Sequence, residues 1–357
     1  TQQLAALTTS QIAALSVTNL SALDATQVGA LTTTQTKALT ATQLTGLDAA
    51  DVAEFSTTHI SNFANTQLLA LTSTNMAALS ETQIAAISAP GVKALTATNF
   101  AAFAETQLGA LTTTQVSSLT NTQLQALNST KFASFTATQL GALTTSQVSG
   151  ISTTNLSALD ATQFDAFRTT QLQTLSTTQL NGLSTTDISE LTTTQIGLLT
   201  TAQVRGLSTT NIGALSDTQV LALTTTQLAA FSNTNLSALD STQVGQLTTT
   251  QVRSLTASHI TALDATDIAE FTTDQLGALT ATQAQALTST NMADLAETQI
   301  QALTTTSLRS MSATNVASMS TTQLAALTTQ QTASLTTGQL NALTSTKLGA
   351  FTESQIE

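Results

Sequence analysis

An unbroken period of eight residues constrains this chain more than any other feature of its sequence. Counting in eights from Leu7, every first position up to Phe351 is Leu, Phe, Ile or Met, so that 344 residues form 43 complete octads. The consensus is Leu-Thr-Thr-Thr-Gln-Φ-x-Ala, and the sixth position, Φ, is apolar except at Thr36, Ala284 and Thr332. A fixed short period indicates a repeat array in which each unit buries its apolar face against neighbouring units. We therefore predict a single array over residues 1–357, with full octads at 7–350 and partial units at both ends.

Each octad carries a signal for the start of a helix. The second position is Ser, Thr, Asp or Asn in 39 of the 43 octads, and these residues are preferred N-caps because their side-chain oxygen accepts an otherwise unpaired backbone N–H. Gln three residues later completes a capping box, and the apolar first and sixth positions form a hydrophobic staple. The octads without such a cap residue carry Ala64, Ala104, Arg168 and Ala296.

A continuous helix and a β-coil fit the octad less well than a series of short helices. In one long helix, the first and sixth positions would drift around the axis and leave no lasting apolar stripe. In a strand, the same two positions would point to opposite faces. A helix of about six residues is not stable alone, so each one must pack against other octads. The sequence therefore predicts an all-α solenoid of very short helices, with one helix per octad.

A longer period within the array indicates how the octads are wound. Asn replaces Gln at the fifth position at intervals of three or seven octads, which a period of about 3.4 octads fits, at Asn19, Asn75, Asn99, Asn155, Asn211, Asn235, Asn291 and Asn315. All 20 acidic residues then fall within less than half a turn of this period. We predict a superhelix of about 3.4 octads per turn, in which octad k packs on octads k+3 and k+4. Because helix layers pack ~8–10 Å apart, the resulting rod would be roughly 105–130 Å long.

Composition and charge argue against several classes of function. The net charge is −12, which opposes binding to nucleic acid, where Lys and Arg must neutralise phosphate. No run of ~18 apolar residues is present to span a membrane, and the chain has no Cys for disulfides or thiolate metal sites. No Ser-His-Asp arrangement can be assigned, since Ser and Thr occur throughout as caps. His59 and His259 stand where Gln usually stands, and we interpret them as substitutes in the capping box. We therefore expect no enzyme.

Clustered carboxylates are the candidate ligands for a cation. One octad contains Asp48, Asp51 and Glu54, and another contains Asp264, Asp267 and Glu270. A spacing of three places such groups near one face of a helix, and oxygen ligands suit Ca²⁺. The alternative is that Asp at the second position caps the helix and is stabilised by the helix dipole. That alternative leaves the glutamates at the eighth position unexplained.

Some runs of the sequence resemble a known kind of repeat. Leu111-Thr-Thr-Thr-Gln-Val and Leu191-Thr-Thr-Thr-Gln-Ile are similar to the LTTxQ-type octapeptide tracts of very large secreted or cell-surface bacterial proteins, and the resemblance covers the whole chain. It implies an extracellular location and a role as a filament, stalk or surface layer. A shorter resemblance, to the LTxxQ motif of periplasmic helical chaperones, reflects shared capping chemistry.

The leading functional prediction is a structural, extracellular rod or filament. Its expected partners are further copies of itself, end to end, or the continuation of a longer array, because the chain begins and stops within ordinary octads. The alternative is the binding module of an adhesin. Such a module would bind Ca²⁺ at the acidic octads, or ice on a face formed by the threonines at the third and fourth positions.

Overall fold

The structure of the chain, a computed structural model, describes residues 2–357 as helices of four to six residues joined by short turns. It divides into two compact units, Thr1–Leu183 and Ser184–Glu357. No strand occurs among the described residues, so the all-α solenoid of very short helices is confirmed within each unit. The prediction of one array over 1–357 concerns both units together and stays a prediction.

The helices follow the octads one by one. The first unit contains α1 Gln2–Ala5, α2 Thr9–Ala13, α3 Val17–Ser21, α4 Ala25–Gly29, α5 Thr33–Ala38, α6 Ala41–Gly46, α7 Ala49–Ala53, α8 Thr57–Asn62, α9 Asn65–Ala70, α10 Ser73–Ala78, α11 Glu81–Ala86, α12 Ala89–Ala94, α13 Ala97–Ala101, α14 Glu105–Gly109, α15 Thr113–Ser118, α16 Asn121–Gln125, α17 Ser129–Phe132, α18 Ala137–Ala142, α19 Thr145–Ser149, α20 Thr153–Leu156, α21 Ala161–Asp165, α22 Thr169–Leu172 and α23 Thr177–Asn181. The second unit contains α24 Thr185–Glu190, α25 Thr193–Leu198, α26 Thr201–Gly206, α27 Thr209–Gly213, α28 Asp217–Leu221, α29 Thr225–Ala229, α30 Asn233–Leu236, α31 Ser241–Gln246, α32 Thr249–Ser254, α33 Ala257–Ala262, α34 Ala265–Ala269, α35 Thr273–Gly277, α36 Ala281–Ala286, α37 Ser289–Asp294, α38 Glu297–Ala302, α39 Thr305–Ser310, α40 Ala313–Ser318, α41 Thr321–Ala325, α42 Thr329–Ser334, α43 Thr337–Asn341, α44 Ser345–Leu348 and α45 Glu353–Ile356.

The capping box predicted from the octad begins these helices. Before α15, the backbone N–H of Gln115 donates to the Thr112 hydroxyl at 3.2 Å, and the Thr112 N–H donates to Gln115 Oε1 at 2.7 Å. Helices whose cap residue is Ala or Arg keep half of the box. Before α9, the Ala64 N–H still donates to Gln67 Oε1 at 2.9 Å, although Ala64 provides no side-chain acceptor. Capping therefore divides the chain into units of eight residues.

The first and sixth positions of the octads form the core of each unit. Phe100 and Phe103 are completely buried, with their ring centroids 5.5 Å apart in an edge-to-face arrangement. Two of the three exceptions at the sixth position are threonines. Buried Thr36 donates its hydroxyl to the Thr32 carbonyl at 3.0 Å, so its polar group is paired within its own helix.

The helices stack turn upon turn within each unit. Each helix packs against the third helix along the chain, as α12 does on α15 and α36 does on α39. Hydrogen bonds from the fifth position also reach back 31 residues, into the fourth preceding octad. Gln115 Nε2, for example, lies 2.9 Å from the Ile84 oxygen. The predicted packing of octad k on octads k+3 and k+4 is thus observed within each unit.

Candidate functional sites: the glutamine clamp and two acid clusters

The fifth-position side chains hold successive turns together, and we call this arrangement the glutamine clamp. While Oε1 of Gln115 accepts the N–H of its own cap residue, its Nε2 donates to the carbonyl oxygens of Ile84 and Ile87, at 2.9 and 2.6 Å. In the second unit, Gln283 Nε2 likewise donates to carbonyls 31 and 28 residues earlier, at 2.7 and 2.8 Å. These carbonyls lie at helix C-termini, where the helix itself provides no donor. One amide therefore satisfies the start of one helix and the end of another.

The two histidines act in this clamp as glutamine does. Nδ1 of His59 accepts the Ser56 N–H at 3.3 Å, and its Nε2 lies 2.8 Å from the Leu31 oxygen. This geometry requires the neutral tautomer that carries its proton on Nε2, because Nδ1 faces a donor and Nε2 faces an acceptor. His259 makes the corresponding pair of contacts at 3.2 and 2.9 Å. Both side chains are buried, in agreement with the interpretation of these residues as capping-box substitutes.

Aspartate at the fifth position reverses the direction of the turn-to-turn hydrogen bond. An ionised carboxylate only accepts, so Asp51 cannot donate to carbonyls as glutamine does. Instead, Ser21, 30 residues earlier, donates its hydroxyl to Asp51 Oδ2 at 2.6 Å. In the second unit, Ser237 donates to Asp267 Oδ2 at 2.7 Å. The interaction between turns is retained with donor and acceptor exchanged.

Sequence reasoning missed these Ser–Asp pairs, although a signal for them was present. Ser occupies the seventh position in only seven of the 43 octads, yet it stands 30 residues before every fifth-position Asp. The pairs in the sequence are Ser21 and Asp51, Ser157 and Asp187, and Ser237 and Asp267. Had the search compared residues one turn apart, the covariation would have indicated a contact.

The predicted cation ligands fall into two acid clusters of the same composition, 216 residues apart. The first cluster contains Asp24, Asp48, Asp51 and Glu54, and the second contains Asp240, Asp264, Asp267 and Glu270. Asp48 Oδ1 accepts the Asp51 N–H at 2.9 Å, and Asp51 Oδ2 accepts the Asp48 N–H at 3.0 Å. Asp264 and Asp267 make the same two contacts. The aspartates therefore form capping boxes, as the alternative interpretation expected for Asp48 and Asp264.

Glu54 and Glu270 differ from the aspartates of their clusters. Oε2 of Glu54 is buried and has no hydrogen-bond partner within the described part of the chain. Burial raises the pKa of Glu54 above its ordinary value of 4.5, and the charges of Asp51, Asp24 and Asp48 raise it further. The pKa of Glu270 is raised by the same causes, burial being the largest. Ionised, each glutamate is thus a source of local instability.

We expect Glu54→Gln to stabilise the first unit at pH 7, by up to about 1 kcal/mol. A raised pKa means that ionisation is less favourable in the folded chain than in the unfolded chain. The native glutamate therefore contributes its full stability below pH 4.5, and part of that stability is lost as the pH rises through the folded-state pKa. The advantage of the variant should accordingly disappear in acid. Chemical denaturation at pH 4 and pH 7 measures the difference.

Glu190→Gln is the matched control for this experiment. Glu190 also stands at the eighth position of its octad, but its side chain is exposed. We expect little change in stability at either pH. Equal effects of the two substitutions, or an advantage of Glu54→Gln that persists in acid, would contradict the explanation by burial and repulsion.

Calcium binding at these clusters stays a prediction. No group of three or more His, Asp or Glu side chains among the described residues is arranged to hold a metal ion. If Asp48, Asp51 and Glu54 nevertheless bind Ca²⁺, the melting temperature should rise with the concentration of the ion, because a ligand of the folded state stabilises it. A titration to about 10 mM covers the weak range of extracellular calcium modules. A melting temperature that is unchanged, or that rises equally with Mg²⁺, would remove the hypothesis.

The remaining surface provides grooves but no gathered chemistry. One groove is lined by Ser80, Glu81 and Thr106, and a second, 216 residues further along, is lined by Glu297 and Thr322 among others. Each contains a single carboxylate. In residues 2–357, no helix combines the length and the apolar character needed to cross a bilayer.

One short helix per octad, stacked on its neighbours through side-chain amides, defines a helical solenoid of octapeptide repeats. The sequence comparison agrees with this class. Residues 197–225 match the family model of the ALTTAQ repeat, so the octapeptide-repeat tract predicted from the sequence is confirmed. None of the curated proteins compared with the chain matches it.

Proposed function

We propose that this chain is a non-catalytic structural rod outside the cell, acting as a stalk, spacer or filament. The use of its polar groups carries this proposal. The threonines, serines and aspartates at the second position cap helices, as Thr112 does. The amides at the fifth position join one turn to the next, as Gln115 does. Most of the recurring hydrogen-bonding chemistry is therefore committed to holding the solenoid together.

The proposed extracellular location rests on sequence resemblance. Runs such as the one from Leu191 to Ile196 are similar to octapeptide tracts of large secreted or surface proteins. Antibodies raised against the chain should label intact cells of the source organism without permeabilisation. Labelling only after permeabilisation would place the chain inside the cell and overturn this part of the proposal.

Small-angle X-ray scattering of the chain tests the rod. A rod of roughly 105–130 Å, the length expected from stacked helix layers, has a radius of gyration of about 30–38 Å. A compact globule of this length would give about 20 Å, and an unfolded chain about 68 Å. A value in the rod range with a thin, constant cross-section supports the proposal. Either of the other two values would contradict it.

A further inference from the structure

The first turn of octads in the structure presents an incomplete clamp, which we call the donor edge. Its fifth-position residues are Gln11, Asn19 and Gln27, and their side-chain amides donate to no carbonyl in the described residues. Gln11 still forms its capping box, with Oε1 2.8 Å from the Thr8 nitrogen. The first-position leucines of this turn are only partly buried, whereas Leu31, in the next turn, is 4% exposed.

The last turn presents the opposite face, which we call the acceptor edge. Carbonyl groups at the first positions, those of Leu335 and Leu343, receive no side-chain amide in the described residues. Its sixth-position side chains are uncovered, since Leu348 is 44% exposed and Ile356 is 70% exposed. One turn earlier, Leu324 at the same position is fully buried. The acceptor edge therefore exposes apolar sixth positions and free carbonyls.

The two edges are complementary in the same way as neighbouring turns inside each unit. A donor edge provides first-position leucines and one amide every eight residues. An acceptor edge provides sixth-position apolar side chains and carbonyls at the same spacing. The clamp inside the units, such as Gln339 Nε2 on the carbonyls of Leu308 and Met311 at 2.7 and 2.9 Å, shows the contact that one edge would make with the other.

We propose that the donor edge of one copy of this chain binds the acceptor edge of a second copy, and that the clamp continues across the junction. This inference rests on the proposed structural role and names its partner, a further turn of octads. The contact joins two different surfaces, so each bound copy leaves one edge of each kind open. A head-to-tail contact of this type extends into an open filament rather than closing as a symmetric dimer.

Substitutions at exposed residues can test each edge without disturbing the fold. Leu348→Lys with Ile356→Lys alters the acceptor edge. Gln11→Glu with Gln27→Glu alters the donor edge, because glutamate keeps the acceptor needed for the capping box but loses the amide donor. Leu69→Lys is the matched control, since Leu69 is also 44% exposed but lies within the array.

Sedimentation velocity over a concentration series measures the association of the chain. We expect the unaltered protein and the Leu69→Lys control to form species at multiples of 36.6 kDa. Each edge variant should associate at least about tenfold more weakly, the equivalent of losing roughly 1.4 kcal/mol. A mixture of the two edge variants should form dimers and nothing longer, because only one intact donor edge meets one intact acceptor edge.

Other outcomes would overturn the inference. These are an unaltered protein that stays monomeric, a control that weakens association as much as the edge variants do, and a mixture that forms no dimer. Scattering from the monomer separates this inference from the proposed function. A monomer with the dimensions of a rod would leave the structural role intact while the head-to-tail contact fails. A monomer that scatters as a globule would remove the proposed function itself.

Discussion

Replacing Gln115 by glutamate should destabilise the turn-to-turn contact around it by about 3–5 kcal/mol at pH 7, the cost of an unpaired buried charge. Gln115 is 1% exposed, and its amide faces the carbonyl oxygens of Ile84 and Ile87. Glutamate has the same shape and still accepts the Thr112 N–H. Its charge, however, would lie against two acceptors with no donor between them. The loss of stability therefore reports the clamp and not the cap.

The same substitution has an internal test in its pH dependence. A protonated carboxyl group has one O–H donor, so Gln115→Glu should recover part of its stability in acid. Long arrays can depart from two-state unfolding, and hydrogen exchange of the amides in α12 and α15 therefore measures the effect locally. We expect these amides to exchange faster in the variant at pH 7.

Gln11→Glu is the matched control for Gln115→Glu. Gln11 occupies the same octad position and forms the same capping box, but it is exposed and its amide has no carbonyl below it in the described residues. Its replacement should change stability by less than about 0.5 kcal/mol, as surface substitutions usually do. Equal losses at the two positions would show that the clamp contributes nothing beyond the cap.

The fold could be predicted because the octad encodes local and tertiary information at the same positions. Thr112 and Gln115 identify a capping box from sequence alone, and the apolar residues between the caps show which side chains are buried. The spacing of the asparagines then gave the contacts between turns. Asn75, for example, donates to the Leu47 carbonyl 28 residues earlier at 3.1 Å, in the octad three units back.

The second role of the fifth position could not be predicted from the capping box. A capping box uses only the oxygen of Gln115 and leaves its nitrogen unassigned. The target of that nitrogen depends on the pitch and offset of the turns, which a repeat period alone does not define. The Ser21–Asp51 pair was missed for the same reason, because it becomes meaningful only when residues 30 apart are known to be neighbours.

The acid clusters show a different limit of sequence reasoning. Spacing placed Asp48, Asp51 and Glu54 near one face of a helix, and this suggested shared coordination of a cation. In the structure the two aspartates bond to each other's backbone, while Glu54 is partly buried beside them. Sequence spacing identifies which residues are near one another, but the direction of each carboxylate depends on the backbone groups that compete for it.

Phe103→Ala should destabilise the first unit by about 3–5 kcal/mol, the usual cost of removing a buried aromatic side chain. Phe103 stands at the first position of its octad, is fully buried and packs edge-to-face on Phe100. Leu69→Ala, at a side chain that is 44% exposed, should cost far less. Chemical denaturation of the three proteins measures the difference.

Phe103→Leu decides which property of the position matters. Leucine is the commonest residue at the first position of the octads, so the repeat itself provides a shape that leucine fills. If burial at an octad position governs stability, this substitution should cost less than about 1.5 kcal/mol, as volume-tolerant exchanges in cores do. A loss as large as that of Phe103→Ala would instead show that the ring pair with Phe100 is specific to this turn. The octads would then not be interchangeable units, and the consensus would describe the fold less completely than the other positions suggest.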